Sequence, residues 1–300
     1  MNPNILSPST NTWRNQGPTQ QSAETYRRVQ NAINAHSFPA GYSYAIHLQG
    51  SYKNSTNIRG DSDVDIVAVL TSMFRHGTQG LPDVEQATFN RDHSRSDQTL
   101  AVFKSHVINA LRDTFGDRVS VAKKCINVGG EGERLNADVL ACQSYRKYNS
   151  YRTAYSPDYV SGIEFWIESE GRWVVNYPKQ HYERGVQKND RCSGNYKPMV
   201  RYVKNARSYL VDHGELRYGI TPSYFLEGWL SNLPDWAFTA DSQESFKLIV
   251  STLALDFKEG RMEMYCCQNG QSLLFGPTPE QWDMDSALTT LAALIKLLRA

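Results

Sequence analysis

Two carboxylates, Asp63 and Asp65, stand one residue apart at the head of an apolar run, residues 64–70. In a strand, alternate side chains share a face. Asp63 and Asp65 therefore project side by side while Val64 and Ile66 enter a core. Like charges held a few ångströms apart repel, and both stay ionised near neutral pH when a cation lies between them. A divalent metal is the simplest cation for the task. Upstream, an alternating run (Tyr44, Ile46, Leu48) ends at Gly50-Ser51. A strand, a glycine, a serine and a short turn of helix present backbone N–H groups at a helix start, which favours phosphate. Gly50 allows close backbone approach, and the Ser51 hydroxyl can donate to a phosphate oxygen. Read singly, Gly-Ser is a tight turn and Asp-Val-Asp a solvated strand edge. In this order and spacing they point to chemistry on a nucleoside triphosphate.

A third acid, Asp138, sits between Ala137 and Val139 in the short strand expected at residues 135–142. A carboxylate inside an apolar strand is costly unless hydrogen-bonded or bound to metal. A buried structural Asp is the plain reading. A two-metal transferase, however, needs a third carboxylate on a neighbouring strand, because two cations about 4 Å apart clamp the attacking and leaving oxygens.

The elements that would carry these groups follow from periodicity. Residues up to about Gln20 read as a loose polar arm. Ser22 is placed to cap a helix over 23–36, with Tyr26, Val29 and Ile33 on one face. Strands are expected at 43–49 and 64–70. Residues 75–97 read as a long loop, and 100–115 as a helix carrying Leu100, Phe103, Val107 and Leu111 on its apolar face. Residues 119–128 read as a strand with Lys123 and Lys124 exposed, and 162–176 as a hairpin. Residues 176–190 read as a polar loop. From Tyr196 the pattern turns helical, with Lys197, Arg201, Lys204 and Arg207 forming a basic face, either solvated or part of a lid reaching the triphosphate. Further helices are expected at 222–233, with Thr221 as cap, and at 242–257 and 285–299.

Composition narrows the partners. The chain has 300 residues, 40% of them apolar, which is enough for a sizeable core, and a net charge of +1. That charge gives no broad pull on long nucleic acid or on a membrane. No apolar run is long enough to span a bilayer and no apolar leader is seen. The five cysteines form no CxxC pair, so neither a disulfide framework nor a zinc site is indicated. The cytoplasm is the expected location.

With these residues in view, the chain resembles the bacterial CD-NTases, relatives of cyclic GMP–AMP synthase and the oligoadenylate synthases. The superfamily pattern of Gly-Ser, then Asp-x-Asp, then a later Asp is matched by Gly50-Ser51, Asp63-Val64-Asp65 and Asp138. The narrower likeness lies in LQGSYKNSTNIRGDSDVDIVAV, NYPKQH, YKPMVRYVKNARSYL and TPSYFLEGWL, and covers most of the chain from about Ala23 to Leu298. The resemblance implies an α+β fold: a polymerase-β-like nucleotidyltransferase core, a mixed sheet with flanking helices, over residues 1–190. A C-terminal helical lobe over 191–300 would follow, with the active site in the cleft between them. It implies that Gly50 and Ser51 hold the donor triphosphate, and that Asp63, Asp65 and Asp138 are catalytic and bind two Mg²⁺ or Mn²⁺ ions. Lys204 would reach the β- and γ-phosphates, Ser223 would add a triphosphate contact, and Tyr224 would stack on a base. Members that accept a pyrimidine have an Asn in the pocket. Asn176 in NYPKQH looks like that position, although an Asn before Tyr-Pro is also a common turn residue. ATP and UTP are the favoured substrates.

The resulting expectation is a template-independent synthase that joins two or three nucleotides into a cyclic second messenger with release of pyrophosphate. The setting implied is antiphage signalling, with a monomeric enzyme and a separate effector that senses the product. A second reading keeps the chemistry but transfers the nucleotide to a tRNA, a small molecule or a protein. A third, a regulatory module with a degenerate pocket, is disfavoured because all three carboxylates and the phosphate turn are present.

Overall fold

The computed structural model describes residues 12–59, 63–132 and 135–299. These fall into two compact units. One, here the sheet unit, takes in Thr19–Tyr52 and Ser62–Lys179. The other, the helical unit, takes in the remaining described residues.

In chain order the elements are α1 (Gln20–Ala35), β1 (Tyr44–Leu48), α2 (Gly50–Asn54), β2 (Asp63–Gly77), α3 (Asp83–Asp92), α4 (Leu100–Phe115), β3 (Val119–Val121), β4 (Ile126–Val128), β5 (Asn136–Tyr151), β6 (Pro157–Ile167) and β7 (Arg172–Asn176). The helices α5 (Pro178–Arg191), α6 (Tyr196–Asp212), α7 (Ser223–Ser231), α8 (Ser242–Lys258) and α9 (Met284–Arg299) follow. The strands form one seven-stranded mixed sheet in the order β1-β2-β5-β4-β3, with β6 pairing the far half of β5 and β7 pairing β6. All pairings are antiparallel except β2 with β5, which is parallel. The β-branched run of β2 suits a pleated, buried surface. Val64, Ile66, Ala68 and Leu70 point to one face, where they pack with Ala137, Val139 and Ala141 of β5 against Val29 and Ile33 of α1 and Phe103, Val107 and Leu111 of α4. The Thr99 side chain caps α4 by accepting from Val102 N. The opposite face carries a smaller cluster of Val67, Val69, Cys142, Ile163, Phe165 and Ile167.

The helical unit is organised around α6, α7, α8 and α9, with Tyr202, Phe225, Trp229, Phe246, Leu253 and Leu294 almost wholly buried. Asp241 caps α8 by accepting from Gln243 N and Glu244 N. Among the described residues, no helix is long and apolar enough to cross a membrane.

Several expectations need correction. Of the loose arm, residues 1–11 lie outside the described residues. The rest of it is packed: Trp13 sets its ring edge on Tyr202, centroids 5.4 Å apart, and Arg14 donates to Asn195 Oδ1 at 3.1 Å. Helix α1 begins before Ser22, whose hydroxyl donates to Thr19 O inside the first turn rather than capping it. The long loop over 75–97 holds the end of β2 and all of α3, which buries only Phe89. The single strand over 119–128 is a hairpin, β3–β4. The polar loop over 176–190 is helix α5, whose buried residues are His181, Gly185 and Lys188. Thr221 does not cap α7, because its hydroxyl bonds Thr290. The α6 basic face is not solvated. Lys204 is fully buried, and Arg201 donates to Arg14 O at 2.7 Å.

Candidate active site

The parallel β2–β5 pairing sets the geometry of the acids. Its register places Asp65 directly opposite Asp138 and Asp63 opposite Asn136. The apolar neighbours Val64, Ile66, Ala137 and Val139 are buried on the core face. The acids alternate with them: Asp63 is exposed, and Asp65 and Asp138 are half-buried. Thus the period-2 pattern holds the carboxylates on one face of two neighbouring strands.

Gly50 opens α2 with a left-handed φ of 67°. A Cβ there would fall 1.9 Å from Asp65 Oδ2, so the backbone at residue 50 lies directly against that carboxylate. Only glycine can make this approach at this φ without strain. The same junction is fixed by Gln49 N donating to Asp65 O at 2.8 Å. Ser51 follows Gly50 in the first turn of α2.

Two residues not foreseen from the sequence touch the acids. Asn136 donates its Nδ2 to Asp63 Oδ1 at 3.0 Å, and Asn127 of β4 donates its Nδ2 to Asp138 Oδ1. Cys125, beside them, has its thiol pushed up to about 11 by burial first, then by the charge and hydrogen bond of Asp138, with the Asp65 charge adding to them. Among the described residues, no three His, Cys, Asp or Glu side chains are drawn together as a ready metal-ligand set. The donor chemistry nevertheless fits a hard divalent cation. Carboxylate oxygens are its preferred ligands, Asp65 and Asp138 stand side by side in register, and the Asn136 and Asn127 donors on Asp63 and Asp138 are neutral amides that compete weakly.

The remaining predicted residues lie apart in the chain and are described in their own units. Asn176 ends β7 opposite Ile163, and its Oδ1 accepts from Tyr177 N at 2.8 Å. Burial pushes the Tyr177 hydroxyl up to about 12. Gly162 lies beneath this corner, where a Cβ would meet Asn176 O at 2.8 Å and the Tyr177 ring at 3.1 Å. In the helical unit, Lys204 Nζ donates to Thr56 O at 2.9 Å. Ser223 Oγ accepts from Arg207 at 3.4 Å. The Tyr224 ring is stacked on His181, centroids 5.0 Å apart and planes 20° apart, and its hydroxyl accepts from Asn269 Nδ2 at 3.1 Å.

Sequence and fold comparisons bear on this arrangement. Residues 183–299 match the family model of the cGAS/DncV-like nucleotidyltransferase C-terminal helical domain. Over 92% of its length the chain is 41% identical to the cyclic UMP-AMP synthase of Rhodothermus marinus, covering 91% of that protein. The chain belongs to the cGAS/DncV-like nucleotidyltransferases. It is also 32% identical to the cyclic nucleotide synthase CdnE01 of Staphylococcus haemolyticus, over 92% of each chain. The solved structure of the Rhodothermus marinus CdnE c-UMP-AMP synthase with Apcpp and Upnpp superposes with a TM-score of 0.86 at 40% identity, covering 96% of this chain and 94% of that one. The expected fold, a polymerase-β-like core of mixed sheet and flanking helices plus a C-terminal helical lobe, is the fold of this family member. The family includes pyrimidine-accepting members. The chain is a nucleotidyltransferase, and its activity is synthesis of a cyclic oligonucleotide from nucleoside triphosphates.

Proposed function

We propose that this enzyme joins one uridine and one adenosine nucleotide into a cyclic dinucleotide. The observation that carries the chemistry is the direct register of Asp65 and Asp138, with the Gly50 backbone laid against Asp65. The base choice is supported by the 41% identity to a cyclic UMP-AMP synthase, and Asn176 at the end of β7 is read as the pyrimidine contact.

In each half-reaction a ribose hydroxyl oxygen attacks the α-phosphorus of the other nucleotide. The new P–O bond forms as the bond to the β-phosphate breaks, pyrophosphate leaves with the electron pair, and the hydroxyl proton is lost. A second transfer closes the ring. The chain supplies positioning and charge rather than a covalent intermediate. The backbone at Gly50 and the Ser51 hydroxyl hold the donor phosphates. Asp63, Asp65 and Asp138 would hold two Mg²⁺ or Mn²⁺ ions, which when bound neutralise phosphate charge and acidify the hydroxyl. Asn127 and Asn136 keep the acids turned toward the site through neutral donors that a cation can displace. Lys204 and Ser223 are assigned to the triphosphate and Tyr224 to a base. The reading includes a cytoplasmic monomer whose product acts on a separate effector in antiphage signalling.

The test is to feed each labelled triphosphate, singly and in pairs, with Mg²⁺ or Mn²⁺, and identify products by mass. A phosphatase-resistant product from ATP and UTP with no added acceptor is expected. A product that forms only when a tRNA, small molecule or protein is supplied overturns the synthase reading. A ring lacking uridine overturns the base assignment alone.

A further inference from the structure

The mechanism leaves one buried carboxylate unused. Glu227 of α7 is 4% exposed. Its Oε1 accepts from the Thr56 hydroxyl at 2.6 Å. Its Oε2 accepts from Asn54 Nδ2 at 3.2 Å and faces His181 Nε2 at 2.9 Å. Burial pulls the Glu227 carboxyl upward, but the hydrogen bond and charge of His181, then the Lys204 charge and the Thr56 hydroxyl, hold it below its ordinary value. The carboxylate is therefore ionised, and His181 Nε2 carries the proton that it accepts.

His181 is 5% exposed, and its other ring nitrogen, Nδ1, meets no hydrogen-bond partner. The orientation of this imidazole therefore depends on Glu227. The face of the same ring is stacked on Tyr224. Tyr224 precedes Glu227 by three residues in α7, so both lie on one side of the helix. The tyrosine is consequently held at three places: by its backbone, by Asn269 at the hydroxyl, and by His181 across the ring face.

We infer that Glu227 is a positioning residue for nucleotide recognition, fixing the plane of the Tyr224 ring through His181 before a base arrives. The inference rests on the assignment of Tyr224 to a base in the function proposed above. A ring already locked loses little freedom when a base stacks on it, so more of the stacking energy appears as affinity. Glu227 itself is ill-suited to contact a ligand, because it is buried and both its oxygens are engaged.

The experiment measures Kd for non-hydrolysable ATP and UTP analogues with Mg²⁺ on the full chain. The proteins are wild type, His181→Phe, Glu227→Gln, Tyr224→Ala, and each of the first two substitutions combined with Tyr224→Ala. Melting temperature and pyrophosphate release are followed on the same samples. His181→Phe keeps a flat ring but removes the donor to Glu227. Tyr224→Ala alone should weaken one analogue roughly tenfold. His181→Phe and Glu227→Gln should each weaken the same analogue about threefold to fivefold, with kcat at saturating triphosphate within about twofold. In the Tyr224→Ala background neither should weaken it further. Equal losses in both backgrounds, or no loss in the wild-type background, overturn the inference. If one of the two variants fails to fold, the other decides. If Tyr224→Ala leaves both affinities unchanged, the base-stacking assignment falls and the inference with it. Pyrophosphate release by the wild type judges the synthase reading separately, and the binding measurements stand without it.

Discussion

The two units each gather acidic side chains, and they treat them in opposite ways. In the sheet unit, Asp63, Asp65 and Asp138 are exposed or half-buried, and Asp63 and Asp138 accept from the neutral amides of Asn136 and Asn127. In the helical unit, Glu227 is buried with His181 and Lys204 around it. A buried ion costs several kcal/mol unless it is fully partnered, so Glu227 has permanent partners and a permanent geometry. An accessible carboxylate held by an amide keeps most of its charge available to something that comes and goes. The first arrangement suits exchange of a cation and a phosphate. The second suits holding a backbone and a ring still.

The sharpest way to break this contrast is to remove charge from each place and ask what is lost. Asp63→Ala or Asp65→Ala should lower pyrophosphate release on the order of a thousandfold or more, with the melting temperature within a few degrees of wild type. Normal turnover from either would remove the metal-carboxylate assignment. Glu227→Ala should do the reverse and cost about 3–5 kcal/mol of stability, read by denaturant unfolding, because it strips the acceptor from His181, Thr56 and Asn54 in the interior. The same carboxylate makes a pH prediction. Its value in the folded chain lies below its ordinary 4.5, so the folded state favours the ionised form. Its contribution is full above about 4.5 and is lost as pH falls from there through the folded value. That limb of the acid-unfolding curve should be absent in Glu227→Gln. The smallest change is Gly50→Ala. It forces an alanine into a left-handed φ, at a cost of about 1–2 kcal/mol, and drives a methyl into the Asp65 carboxylate. Activity should fall about a hundredfold while most of the stability remains. Full activity in this variant would show that the close approach at residue 50 is not needed.

Much of the sheet unit was legible. The alternation around Asp63 and Asp65, the glycine before Ser51, and the acid within an apolar strand at Asp138 all report themselves through period and cost. The pairing of β2 with β5 was not: no local signal says that Asp65 and Asp138 share a register. Helix α5 was missed because its buried positions are His181, Gly185 and Lys188, which leave no apolar period to read. The reasons for those residues are tertiary: His181 meets Glu227, Gly185 lets Gln268 approach, and Lys188 donates to Leu233 O and Asp235. Helix α3 was missed because Phe89 is its one buried residue, although Pro82 followed by Asp83 and Glu85 is a fair start signal. Lys204 looked like one more charge on a basic helix face. Its burial becomes intelligible when Thr56 O and the Glu227 charge are seen to meet it in space.

The lone parallel pairing in the sheet governs when the enzyme can exist at all. Parallel strands cannot be joined by a hairpin, so the chain must build α3, α4 and the β3–β4 hairpin before β5 can lie beside β2. Closing so distant a pair is slow compared with forming local turns and helices. A chain still emerging from the ribosome would thus hold Asp63 and Asp65 long before Asp138 joins them. A chain made only as far as β4 therefore lacks one of its three acids, and is silent.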